Sequence, residues 1–232
     1  NKNRMSEASN IEMQNPASSK KMLLAMVSIG VISAFLIVMS FELTLPRVQR
    51  LKAEALEKAI FEVLPGTVRT EAFGVNADGN LFEIAEGDKP ETVIYAGYDK
   101  NEKLVGYAVE GAGQGYADII RVLYGYDPKE QKLIGFQVLE SKETPGLGDK
   151  IGKDEEFLNN FKALDVSVSE DGKLLNKVIT VKHGEKQNSW EIDGITGATI
   201  SSRAIGNIIG TSTEEVVPIL YEQSKNEPTV ND

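Results

Sequence analysis

The chain contains no cysteine and only one histidine, His183, among 232 residues. Without cysteine there are no disulfides, no thiolate-held iron–sulfur clusters and no lipid anchor on a cysteine. One histidine cannot build a multi-histidine metal or haem site. Between Lys182 and Gly184, His183 reads as a solvated turn residue. No nucleophile–histidine pair and no conventionally placed general base is present. Basic charge is also scarce: residues 42–232 hold 21 Lys and Arg against 33 Asp and Glu, a formal charge of −12. That balance argues against nucleic acid or anionic lipid headgroups as partners. There is no internal repeat and no long low-complexity tract.

What the chain does have is one long run without charge, Met22–Phe41, of 20 residues. As a helix it would be about 30 Å long, the hydrocarbon thickness of a bilayer. The run is longer than the apolar core of a signal peptide, and Val38–Leu43 offers no small-residue cleavage site, so a retained single-pass anchor is expected. Lys20 and Lys21 precede it directly, which places the N-terminus in the cytoplasm and the following domain outside the cytoplasmic membrane. Residues 1–21 read as a disordered cytoplasmic tail, 22–41 as the anchor, 42–66 as a juxtamembrane helix, 67–225 as the extracytoplasmic domain and 226–232 as a frayed tail. In the juxtamembrane segment Leu51, Ala55, Ala59 and Val63 recur at helical spacing until Leu64-Pro65-Gly66 ends the pattern.

Within the domain, Asn76-Ala77-Asp78-Gly79 reads as a hairpin loop. Strand-like runs cover Thr92–Tyr98, Lys103–Val109, Asp118–Tyr126 and Lys132–Leu139, and short turns join them. Phe157–Phe161 suggests a short helix. Lys177–Lys182 and Ser189–Ile192 suggest a further hairpin. The order of elements predicts an α+β domain on a twisted antiparallel sheet.

Two segments stand out. The first is Asp193-Gly194-Ile195-Thr196-Gly197-Ala198-Thr199, which joins a strand to a helix with Ile200, Ala204, Ile205, Ile208 and Ile209 on one face and Gly210 as its stop. Thr199, Ser201 and Ser202 are candidate N-caps. A helix start favours an anion such as phosphate, and Gly197 and Ala198 leave room beside Thr199. Beyond it, Ser212-Thr213-Glu214-Glu215 matches a capping box for a last helix, which Pro218 would kink. The second segment is Glu143-Thr144-Pro145-Gly146-Leu147-Gly148-Asp149, whose Pro-Gly pair sets a type II turn and turns Leu147 outward. A third patch, Gly111-Ala112-Gly113-Gln114-Gly115-Tyr116, has the wrong spacing for a dinucleotide fingerprint and precedes a strand.

The spacing D-x-x-T-G-A-T, preceded by E-T-P-G-L-G about 50 residues earlier, resembles the signatures of two related flavoprotein families. These are the FMN-bearing G subunits of Rnf electron-transport complexes and the C subunits of sodium-pumping NADH:quinone oxidoreductases. The resemblance implies covalent FMN, joined by a phosphodiester to Thr199, with Thr196 as the fallback acceptor. It implies flavin contacts from Glu143, Thr144, Gly146, Leu147, Gly148, Thr196, Gly197, Ala198 and Ser202, with Gly115 and Tyr116 equally readable as a plain loop. Asp193, Thr196, Gly197, Ala198 and Thr199 would be recognised by a flavin transferase using FAD and magnesium. There Asp193 either orients the acceptor hydroxyl or only caps a turn. The implied function is electron relay in a bacterial ion-translocating ferredoxin:NAD+ oxidoreductase. Its partners would be membrane subunits carrying iron–sulfur centres and a second FMN. The alternatives are the C-type component of the quinone reductase, an anchored FMN-dependent reductase of an external small molecule, and a scaffold domain without flavin.

Overall fold

The computed structural model describes residues 19–76, 80–84, 90 and 92–226. The chain divides into two units, residues 1–52 and 53–232. In the first unit every described residue is helical and belongs to α1 (Ser19–Val63). The large apolar side chains from Met22 to Leu43 are exposed, and an 18-residue window reaches a mean hydropathy of 2.6 with nothing buried. A helix that is apolar all round and covered by no protein fits a bilayer, where its backbone groups are satisfied internally. The predicted tail lies outside the described residues up to position 18, and Ser19–Lys21 are already helical.

The second unit is built on seven antiparallel strands: β1 (Arg69–Val75), β2 (Leu81–Glu83), β3 (Val93–Tyr98), β4 (Leu104–Gln114), β5 (Ile119–Asp127), β6 (Lys132–Glu140) and β7 (Leu164–Asp165). Their order is β2-β1-β3-β4-β5-β6-β7, so from β3 onward the sheet is a meander. Residues 77–79 of the expected hairpin loop lie outside the described residues, but β1 and β2 on either side of it pair antiparallel. Aspartates shape the tight connections. Asp99 accepts from the amides of Asn101 and Lys103, and Asp127 from those of Lys129 and Glu130.

The central strands are buried on both faces. Tyr107, Val109, Val122, Tyr124 and Tyr126 join one core with Ile205 and Ile209 of α3 (Thr199–Asn226). Ala108 and Leu123 point the other way, onto Ala59, Ile60, Val63 and Leu64 at the end of α1. Full burial of such aliphatic side chains stabilises the fold by roughly 1.5–3 kcal/mol each. The expected stripe is correct at Ala59 and Val63, whereas Leu51 and Ala55 are exposed and Leu56 and Ile60 complete the buried face. Glycines let this helix end lie flat: a Cβ on Gly125 would fall 2.1 Å from the Val63 carbonyl oxygen, and one on Gly135 2.5 Å from its Cα.

Several local expectations differ from the structure. β4 runs on through the glycine-rich patch to Gln114, because pairing with β5 as far as Ile119 continues the ladder. Phe157 lies in α2 (Glu155–Asn159), capped by Asp154, and Phe161 lies in the 3-10 turn that follows. β8 (Ile179–Val181) and β9 (Glu191–Asp193) pair in parallel, not as a hairpin. The link between them reverses direction twice. The first reversal is at Gly184, with φ +78°; the second is where the Glu191 carboxylate accepts from the amides of Gln187 and Asn188. These bonds hold Glu191 below the usual carboxylate range.

Gly210 does not end the last helix, and Ser212–Glu215 does not cap a new one: α3 is continuous from Thr199 to Asn226. Gly210 instead admits β8's approach, since a Cβ there would lie 2.6 Å from the Val178 carbonyl oxygen. Thr213 is buried and its hydroxyl donates back to the Ile209 carbonyl. Beyond Asn226 the expected frayed tail lies outside the described residues.

Gly125→Ala will force the end of α1 off the sheet. Overpacking of this kind costs roughly 2–3 kcal/mol, and chemical denaturation of the variant should show a loss of that size without loss of the β-sheet signal.

Candidate functional site

The two motif segments form the same local structure. Leu147 donates to the Thr144 carbonyl at 3.1 Å with Gly146 at φ +77°, and Ala198 donates to the Ile195 carbonyl at 3.1 Å with Gly197 at φ +82°. A positive φ at the third position is the signature of a type II turn and favours glycine. Space is open on the outer side of both glycines. The Pro-Gly turn was expected; the Thr-Gly turn was not.

After its turn, the motif that begins at Asp193 enters α3 directly. Thr199 is the first helical residue and is exposed, so Ala198, which has no side-chain oxygen, occupies the position before the helix. The N-cap expectation is therefore corrected: Thr199, Ser201 and Ser202 all lie inside the first turn. Ser202 is fully buried, donates to the Ala198 carbonyl at 2.9 Å and accepts from the Ile195 amide at 3.4 Å. It shapes the loop from within. Ile200, expected on the buried face, is 57% exposed.

Glu143 ties the two segments together. It is only 5% exposed, accepts from the Ala117 amide at 2.9 Å and accepts a short hydrogen bond from the Ser201 hydroxyl. A Cβ on Gly115 or Gly148 would each lie 2.6 Å from its carboxylate oxygens. One side chain therefore joins the loop after β4, the Pro-Gly turn and the start of α3. Around this junction Tyr116 and Leu147 stand out at 65% and 53% exposure. Thr144, Pro145, Gly146 and Leu147 of the turn are exposed, whereas Glu143 before them and Gly148 after them are buried. Gly148 begins the 3-10 turn Gly148–Gly152. Asp149 accepts from the Gly146 amide at 2.7 Å, and the Lys153 ammonium at 2.6 Å holds its carboxyl below the usual range.

The other end of the motif is held by a residue that no sequence signal picked out. Asn160, buried after α2, accepts from the Asp193 amide at 3.0 Å and donates to its carbonyl at 3.2 Å. It also accepts from Lys186 at 3.0 Å. The Asp193 carboxylate accepts from the Gly184 amide at 2.7 Å, and His183 Nδ1 lies 3.5 Å from it and 3.2 Å from the Gly194 carbonyl. His183 thus lies in an exposed turn, as expected, and also borders the motif. Together with Lys150, Asp154, Asp193 and Thr196 it lines a cavity of about 170 Å³. Thr196 and Gly197 are exposed and Ala198 is buried.

An exposed hydroxyl at a helix start, an open glycine turn before it and three exposed apolar side chains around it suit a planar cofactor held through a phosphate. Among the described residues no cluster of His, Asp and Glu could hold a metal ion.

Residues 115–212 match the FMN-binding domain family. Over 204 residues the chain is 30% identical to the G subunit of an ion-translocating oxidoreductase complex from Methanosarcina acetivorans, covering 88% of this chain and 97% of that protein. The chain belongs to the G-subunit family of ion-translocating oxidoreductase complexes. Another relative, the G subunit of a Na(+)-translocating ferredoxin:NAD(+) oxidoreductase complex from Acetobacterium woodii, is 28% identical over 199 residues, covering 84% and 89%. The C subunit of the Na(+)-translocating NADH-quinone reductase from Parabacteroides distasonis shares the fold. Its TM-score is 0.59 at 20% identity, over 75% of this chain and 96% of that one. This member of the G-subunit family thus has the α+β fold with one N-terminal apolar helix that the sequence led us to expect.

Removing Asn160 would leave the Asp193 amide and carbonyl without this partner in a partly buried setting. Asn160→Ala should lose roughly 3 kcal/mol, whereas Lys186→Met, which spares the Asn160–Asp193 pair, should lose less than about 1 kcal/mol. Urea unfolding of the two variants makes the comparison.

Proposed function

We propose that this protein bears FMN as a phosphodiester on Thr199 and relays electrons within its complex on the extracytoplasmic side of the membrane. The observation that carries the reading is the position of Thr199: the first residue of α3, exposed, directly after an open glycine turn. A phosphodiester retains one negative charge, which the partial positive charge of the helix start stabilises by about 0.3–1 kcal/mol. Leu147, Tyr116 and Ile200 offer apolar surface to an isoalloxazine ring, and Thr144 and Gly146 lie on the turn beside it. Bound FMN supplies one- and two-electron redox chemistry. The protein's part would be to fix the phosphate at Thr199 and to offer the apolar side chains of Leu147, Tyr116 and Ile200 to the ring.

Attachment requires a flavin transferase. With FAD and magnesium, the Thr199 oxygen bonds the FMN phosphorus, the pyrophosphate link breaks, AMP leaves and the hydroxyl proton passes to solvent. Asp193 sits six residues before the acceptor with its backbone clamped by Asn160, so it marks the fixed end of the segment that the transferase meets.

In its complex the protein would take electrons from an iron–sulfur centre in the membrane and pass them to an integral partner with a second FMN. Names of the relatives support this role, since they describe components of ion-translocating ferredoxin:NAD(+) oxidoreductase complexes. Lys20 and Lys21 before the apolar run support an N-terminus inside the cell and a single pass.

Intact-mass measurement of material from its native host, or co-expressed with a flavin transferase, should show the gain of FMN less one water, and Thr199→Ala should lose it completely while remaining folded. Covalent flavin retained by Thr199→Ala in a denaturing gel would overturn the assignment. Sidedness has its own test in a cysteine-free chain: Glu170→Cys, next to an exposed turn, should react with a membrane-impermeant maleimide from outside intact cells.

A further inference from the structure

Glu143 is a buried acidic side chain beside the motif with both oxygens engaged by protein donors, Ala117 N–H and Ser201 O–H. At 5% exposure the carboxylate faces the protein interior and acts on its surroundings through these two segments. We infer that Glu143 is a positioning residue: its buried carboxylate sets where Thr199 sits and places a fixed negative charge beside the α3 start that lowers the reduction potential of a flavin held there. The inference rests on the FMN reading above.

Two physical arguments support it. First, the clamp spans three segments that are remote in sequence, and Ser201 lies two residues after Thr199. Moving Glu143 therefore moves the acceptor's helical turn relative to the Pro-Gly loop. Glycine at 115 and 148 is required for this approach, since a side chain at either position would strike the carboxylate. Second, a buried negative charge is weakly screened. Electrons added to a flavin nearby meet that charge, and the Ser201 hydroxyl partly neutralises it. The helix start then acts on two anions, the Glu143 carboxylate and the phosphate on Thr199.

Two substitutions separate charge from shape. Glu143→Gln keeps the volume and both contacts, because its amide oxygen accepts from Ala117 and its NH2 donates to Ser201, but it removes the charge. Ser201→Ala keeps the charge and removes the hydroxyl that stabilises it. Using full-length protein in detergent, loaded by a co-expressed flavin transferase, we expect the midpoint potential to move positive in Glu143→Gln and negative in Ser201→Ala. A purely structural role would not give shifts of opposite sign. In the flavin-free chain, hydrogen exchange at the Ala117 amide should stay protected in Glu143→Gln and accelerate at least tenfold in Glu143→Ala. Unmoved potentials in both variants, shifts of the same sign, or unchanged exchange in Glu143→Ala would each overturn the inference. Should Glu143→Gln fail to fold, the sign of the Ser201→Ala shift alone decides. Wild-type protein that lacks FMN would instead overturn the function proposed above; wild-type protein with FMN and unmoved variants overturns only this inference.

Discussion

The buried Glu143 carboxylate is the contact on which the arrangement of the motif region depends. Hydrogen bonds to charged groups are stronger than neutral ones, and a buried carboxylate without them would be costly. The fold meets that constraint with one backbone donor from the loop after β4 and one hydroxyl from α3. The sheet supplies the rest of the geometry. β4 and β6 flank β5 in the meander, so the Gly115 loop that leaves β4 and the Pro-Gly turn that follows β6 emerge near the same carboxylate. α3 then packs on the sheet through Ile205, Ile208 and Ile209, which brings Thr199 to the junction.

At the other end, order comes from a neutral side chain. Asn160 offers the Asp193 backbone both a donor and an acceptor, the way a neighbouring strand would, at a point where β9 has no strand partner on that side within the described residues. The motif is therefore held at its first residue by an amide and just after its last by an acid. The turn and the hydroxyl between them stay open to solvent.

Much of this is readable from the sequence alone. The charge-free run Met22–Phe41, the consecutive strands and the Pro-Gly turn follow from period and turn chemistry, which are local properties. Gly210 misleads, because a glycine that admits the Val178 carbonyl looks, in sequence, like a helix stop. The parallel pairing of β8 with β9 is hidden because it depends on two reversals, one of them made by the Glu191 side chain. Asn160 carries no signal: its partner lies 33 residues away, and nothing in a Phe-Leu-Asn-Asn-Phe stretch marks one asparagine over the other. The resemblance pointed to Glu143 as a flavin contact; that its oxygens accept from Ala117 and Ser201, segments remote in sequence, is visible only in the structure.

Tyr116, Leu147 and Ile200 all face water in a chain that is otherwise strongly acidic. Oily groups left uncovered attract one another across molecules, while the surrounding negative charge keeps chains apart. Mutual repulsion between the acidic domains therefore opposes their association through these side chains. High salt, which shortens that repulsion to a few ångströms, is the condition under which the domains would clump.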